Sequence, residues 1–173
     1  LVAEALASRP GYAPALIERG HLARREGNEA GALAAFAVAA EALPDHLGIK
    51  VEMARSLRAL ARADEATALL EAVRATKPDH LGALIETGHL ERGRGDHGAA
   101  LAAFEEAGRI DPAHRGVQLE IARSLETLGR GREAEAVLGA LTAAHPGFAA
   151  AFVQLGLMRR GRGDHGAAFD ALA

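Results

Sequence analysis

The 173-residue chain has no cysteine. That excludes disulfides, thiolate metal sites and a cysteine nucleophile, and leaves the compartment open. Tryptophan is absent too, and large apolar mass is scarce: five Phe, one Tyr and two Met. Much of the 49% hydrophobic content is Ala. Alanine favours helix but buries little area, so helices must approach closely to gain packing energy. Strand signals are missing, with no sustained alternation and few β-branched or aromatic residues. Neither sign of charge dominates: the formal net charge is −3, which gives no reason to expect a nucleic-acid or anionic-membrane partner. No uncharged stretch, Ala30–Ala40 included, approaches the roughly 20 residues that span a bilayer. No secretory signal is visible, so the expectation is a cytoplasmic chain without membrane insertion. The chain starts at Leu1 rather than Met, which leaves a removed leader or a missing N-terminal region open.

What is present is a period. Five of the six prolines fall at positions 10, 44, 78, 112 and 146, each 34 residues after the last. A fixed interval of this length marks a repeat solenoid, in which each unit buries its apolar face by stacking on its neighbours. Between prolines lie two helical stretches and a short turn. In the second block, helices are expected over about 47–60 and 63–76, with a turn near Arg62–Asp64 and a stop before Pro78. Asp45, Asp79, Asn28, Asp96 and Asp164 read as helix caps.

In register, a small residue recurs in the first helix of each block: Gly20, Ala54, Gly88, Ala122 and Gly156. The second helix carries Ala32/Phe36, Ala66/Leu70, Ala100/Phe104, Ala134/Leu138 and Ala168/Leu172. With the prolines, this resembles the tetratricopeptide repeat over essentially the whole chain. The resemblance implies an all-α, right-handed superhelical α-solenoid of helix-turn-helix repeats. The register gives one array over residues 1–173: a partial repeat 1–12, repeats 13–46, 47–80, 81–114 and 115–148, and a partial repeat 149–173. Both ends fall inside a second helix. The expectation is a segment of a longer protein, or an array without its polar caps.

A 68-residue period lies above the first. Residues 93–100 and 161–168 both read GRGDHGAA, and 54–57 and 122–125 both read ARSL. Even repeats keep Met53, Leu57 and Leu60, then Ile121, Leu125 and Leu128, along one face of the first helix. The matching odd positions hold Arg19, Ala23 and Glu26, then Thr87, Glu91 and Arg94, then Leu155, Arg159 and Arg162. Odd repeats carry Leu22, Leu90 and Met158 where even repeats carry Ser56 and Ser124. Odd first helices are therefore expected to be rotated or thinly packed.

The resemblance implies that the first helices, called A helices below, line a concave groove that binds a peptide or extended segment. Its groove positions carry four ladders. One is aliphatic: Ile17, Val51, Ile85, Leu119 and Val153. One is acidic: Glu18, Glu52, Glu86 and Glu120, then Gln154. A third is His21, Arg55, His89, Arg123 and Leu157, and a fourth is Arg24, Arg58, Arg92, Glu126 and Arg160. Apolar rungs would hold ligand side chains, while charges read backbone amides or acidic groups. The same charges, three apart on a helix, would also pair on any solvated face, and the aliphatic ladder would also serve packing between helices. The Lys and Asn of the family's chaperone-tail clamp are missing, as is the asparagine ladder of its sugar-transferase arrays.

Other chemistries find little support. His46, His80 and His114 recur in the loops between repeats, but neighbouring repeats stack about 10 Å apart, too far to share one metal. A turn or cap role is expected, with no metal and no cofactor. Arg94-Gly95-Asp96 and Arg162-Gly163-Asp164 sit where turn chemistry calls for Gly and Asp. The Gly-rich segment lacks the Lys-Ser/Thr of a phosphate-binding loop. Ser8, Ser56 and Ser124 lie in no nucleophile elbow. The glutamate ladder opposes single-stranded RNA. The expectation is a non-enzymatic scaffold for a protein or peptide ligand. Two alternatives stand beside it: the recognition arm of a larger enzyme, such as a bacterial glycosyltransferase or sulfotransferase, and a self-associating homo-oligomer.

Overall fold

The computed structural model describes Val2 and residues 12–161. The rest of the N-terminal partial repeat through residue 11, Arg162-Gly163-Asp164, His165 and the Ala168/Leu172 pair lie outside the described residues. Among the described residues there are nine helices and no strand. They are α1 (Ala13–Arg25), α2 (Glu29–Ala42), α3 (Leu47–Ala59), α4 (Ala63–Thr76), α5 (Leu81–Gly93), α6 (His97–Ile110), α7 (Arg115–Thr127), α8 (Gly131–Ala144) and α9 (Ala149–Gly161). The A helices α1, α3, α5, α7 and α9 begin every 34 residues. The B helices are α2, α4, α6 and α8. The protein is an all-α chain of helical hairpins.

Contacts divide the chain into two compact units, Leu1–Leu90 and Glu91–Ala173. In the first unit, one cluster joins Leu16 of α1 and Phe36 of α2 to Ile49 of α3. A second joins Val51, Ala54 and Leu57 of α3 and Leu70 and Val73 of α4 to Ala83 and Leu90 of α5. Each hairpin thus completes its core with the A helix that follows. In the second unit, α6 packs on α7, and α7 and α9 both pack on α8. Phe104, Val117, Leu125, Leu138 and Leu155 are buried there.

The 68-residue alternation is partly an exchange of volume. In the first hairpin a Cβ added to Gly20 would lie 2.6 Å from the Phe36 ring, so glycine is required under that ring. In the second hairpin the same two positions hold Ala54 and Leu70, both buried in one cluster. The larger B-helix residue goes with the smaller A-helix residue. The odd helix α1 buries Ala13, Ala15, Leu16 and Gly20, but the odd helix α5 buries five residues, as many as the even helix α3, so thin packing is not a property of the odd A helices as a class. Of the residues swapped between odd and even repeats, Leu90, Met158, Ser56 and Ser124 are buried, while Leu22 is exposed. Leu60 and Leu128 leave the expected stripe, because each is the C-cap residue of its helix.

Helix ends follow one design. The N–H of Asn28, Arg62, Asp96 and Arg130 reaches back to the carbonyl of Ala23, Leu57, Glu91 and Leu125. The residue before each of these, Gly27, Ala61, Gly95 and Gly129, has positive φ. This is the Schellman end of an A helix, where glycine carries no steric cost. Asn28 and Asp96 cap the B helices through Gly31 and Ala99. Asp45 and Asp79 do not cap. The caps of α3, α5 and α7 are His46, His80 and His114, whose Nδ1 accepts from the backbone N–H of Ile49, Ala83 and Val117 at 3.1–3.2 Å. The reason is register: the N-cap is the residue directly before the helix, one position after the aspartate. Each histidine is followed two residues later by Gly48, Gly82 or Gly116, where an added Cβ would meet the imidazole Cε1 at 3.0–3.4 Å.

Two outcomes follow for chemical denaturation. Gly20→Ala destabilises by about 1–3 kcal/mol through overpacking, and Phe36→Leu in the same chain recovers part of that loss. His80→Ala costs about 1 kcal/mol, whereas His80→Asn keeps the cap and most of the stability.

Candidate functional site on the A-helix face

The charged ladders place opposite signs 28 residues apart, on successive A helices. Within the first unit, Arg24 of α1 reaches Glu52 of α3. Its Nη1 donates to the Glu52 carboxylate, and its Nη2 donates to the Glu52 carbonyl at 2.9 Å and the Ser56 hydroxyl at 3.0 Å. The guanidinium also lies 5.2 Å from the centre of the Phe36 ring, which His21 meets edge-on at 5.3 Å. Arg24 is therefore held at its charged end from several directions.

The next junction is built differently. Glu86 of α5 has a side chain only 3% exposed. Its two carboxylate oxygens accept from Arg55 Nε at 2.7 Å and Arg58 Nε at 3.2 Å, both from α3. Arg55 Nη1 stands 3.6 Å from Glu52. Burial alone would push the Arg55 guanidinium down; the charge and hydrogen bond of Glu86, with Glu52 and Glu29 beyond, reverse this and leave it raised. A buried carboxylate is tolerated because two cations solvate it.

In the second unit, Arg92 donates to Glu120, and Arg123 donates to the other Glu120 oxygen at 3.0 Å. Arg92 lies 5.9 Å from the centre of the Phe104 ring. The following junction exchanges its chemistry. Glu126 stands in the register of Arg58, and Gln154 in that of Glu86. Gln154 donates its amide to Glu126 at 2.6 Å and accepts from Arg123 Nε at 3.2 Å. An amide can do both, because it carries a donor and an acceptor.

The aliphatic ladder splits. Val51 and Leu119 are buried, and Val51 belongs to a core cluster. Ile17 and Ile85 are half-buried, Ile17 against the core of the first hairpin. Val153 and Leu157 of α9 are exposed. Glu18 is exposed, and His89 is half-buried. Sequence reasoning placed these charges on one face but missed their cross-repeat partners, above all Ser56 and Phe36. The recurring 28-residue offset between Arg24 and Glu52, Arg58 and Glu86, and Arg92 and Glu120 is the signal that carries the pairing. Among the described residues, no group of three or more His, Asp or Glu side chains is arranged to hold a metal ion. Nor is any described helix long and apolar enough to cross a membrane.

Arg24→Ala is expected to lower stability by about 1–3 kcal/mol in chemical denaturation, since it takes the fork from Glu52, leaving only the longer contact to Arg55, and leaves the buried Ser56 hydroxyl without that donor. Arg24→Lys recovers only part, because an ammonium cannot reproduce the fork.

The comparisons with known proteins agree with this geometry. The family model described as tetratricopeptide repeat matches residues 23–86 and 91–155. TTC0263, a thermophilic protein of this class from Thermus thermophilus, is 20% identical with a TM-score of 0.77, covering 92% of this chain and 87% of its own. The Cut9–Hcn1 structure of the APC/C gives a TM-score of 0.85 at 16% identity, covering 98% of this chain and 34% of that one. YrrB, described as having an unusual peptide-binding site, gives 0.65 at 17% identity, covering 98% of this chain and 88% of its own. No curated protein matches in sequence. The fold is thus the all-α solenoid of these structures, and the chain belongs to the tetratricopeptide repeat family.

Proposed function

We propose that this chain is a protein-interaction scaffold that holds an extended peptide against the A-helix face of its units. The supporting observation is the ladder itself. Glu52, Arg55 and Arg58 in the first unit, and Arg123 in the second, are fixed by partners on neighbouring A helices yet keep part of their surface open. Side chains already ordered lose little freedom when a ligand arrives, which favours binding. Regular polar groups on successive helices suit a ligand with a regular backbone. In the second unit, Val153 and Leu157 add exposed apolar surface one helical turn apart. YrrB, of the same fold, carries a peptide-binding site.

The test begins with peptides selected on the wild-type chain from a random display library. Arg55→Ala in the first unit and Arg123→Ala in the second are then titrated with the selected peptides, with helix content checked by circular dichroism. At least one variant is expected to weaken binding about tenfold while staying folded. Undiminished affinity in both folded variants removes the A-helix face from the function.

A further inference from the structure

Arg24 and Arg58 occupy the same register one repeat apart, yet they spend their guanidinium groups differently. Arg24 uses both Nη nitrogens, on the Glu52 carboxylate, the Glu52 carbonyl and the Ser56 hydroxyl. The position of Ser56 is taken one repeat later by Leu90, which is buried and accepts nothing. Arg58 accordingly donates only through Nε, to Glu86. Arg55 does the same from one turn earlier. Among the described residues no acceptor engages Arg58 Nη1, Arg58 Nη2 or Arg55 Nη2, and the two side chains are 35% and 38% exposed.

We infer that the open guanidinium edges of Arg55 and Arg58 form a binding site for one carboxylate, the side chain of an aspartate or glutamate on a bound peptide. This rests on the peptide-scaffold reading above and names what that face selects.

Two arguments support it. The first is donor supply. Arg24, Arg55 and Arg58 face three carboxylates, Glu29, Glu52 and Glu86, so the cluster balances in charge while guanidinium N–H groups of Arg55 and Arg58 stay unused. A balanced cluster with spare donors accepts a monoanion more readily than a phosphate dianion. Guanidinium edges are also the geometry that binds carboxylates through two parallel hydrogen bonds. The second is order. Glu86, buried and fixed, anchors both arginines by their Nε atoms, so the outward edges are held in place before any ligand arrives. The second unit supplies a contrast. There Glu126 takes the register of Arg58 and is joined to Gln154, so the equivalent place carries a carboxylate and repels another.

The test uses two capped tripeptides, N-acetyl-Gly-Glu-Gly-amide and its Gln counterpart, with inorganic phosphate as a third probe. Binding is read from the side-chain nitrogen resonances of Arg55 and Arg58 by NMR. The expected result is a saturable shift with the Glu peptide, at least about tenfold weaker binding of the Gln peptide and of phosphate, and loss of the shift in Arg58→Gln. In Glu126→Arg/Gln154→Glu a second, matching response is expected at Arg123. Equal shifts with the Glu and Gln peptides, or silence at Arg58, overturn the proposal, as does tighter binding of phosphate. If Arg58 is silent while display-selected peptides still lose affinity on Arg55→Ala, the scaffold reading stands and the carboxylate site falls. If no A-helix variant affects those peptides, the scaffold reading falls with it.

Discussion

A carboxylate on one A helix, held by a guanidinium from the A helix before it, is the contact on which the character of this face depends. Apolar stacking alone would join the hairpins, since each core is completed by the following helix. The Ala-rich composition makes that core lean, and lean cores need close approach. The ion pairs add direction to the stacking. In the first unit they tie α1 to α3 and α3 to α5, and they do so where Glu86 is nearly sealed from water. A buried charge is a poor source of net stability but a demanding geometric constraint. Its partners must be in place, so the side chains around it are ordered before any ligand arrives.

The alternation between odd and even repeats becomes intelligible from the same contact. In the first hairpin, Phe36 lies against Arg24 and requires Gly20 beneath it. Ser56 then receives the second nitrogen of that arginine. One repeat on, Leu90 fills the core instead and leaves Arg58 with an open edge. The duplicated two-repeat unit therefore carries two kinds of junction, one closed and one open. In the second unit the open kind has changed sign: Glu126 and Gln154 keep a hydrogen bond where an ion pair stood.

Much of this was legible in the sequence, and the remainder fails for definable reasons. A 34-residue period with small residues and prolines in register is a long, redundant signal, so helix order and family followed from it. The groove charges could be placed on one face because helical spacing is regular. Which of them spend their donors on a neighbour could not be read, because that depends on whether Ser56 or Leu90 faces the incoming arginine. Val51 and Leu119 show the same limit: an aliphatic residue at a groove position turns inward as easily as outward. The caps show it on a smaller scale. Asp45 and Asp79 have the stronger capping chemistry, but the histidines one residue later occupy the N-cap position, and position decides.

Hydrogen–deuterium exchange of the chain with and without a display-selected peptide tests the central claim most directly. If the A-helix face is the binding surface, added protection falls on α1, α3, α5, α7 or α9 and leaves α2, α4, α6 and α8 unchanged. Protection confined to the B helices would contradict the account.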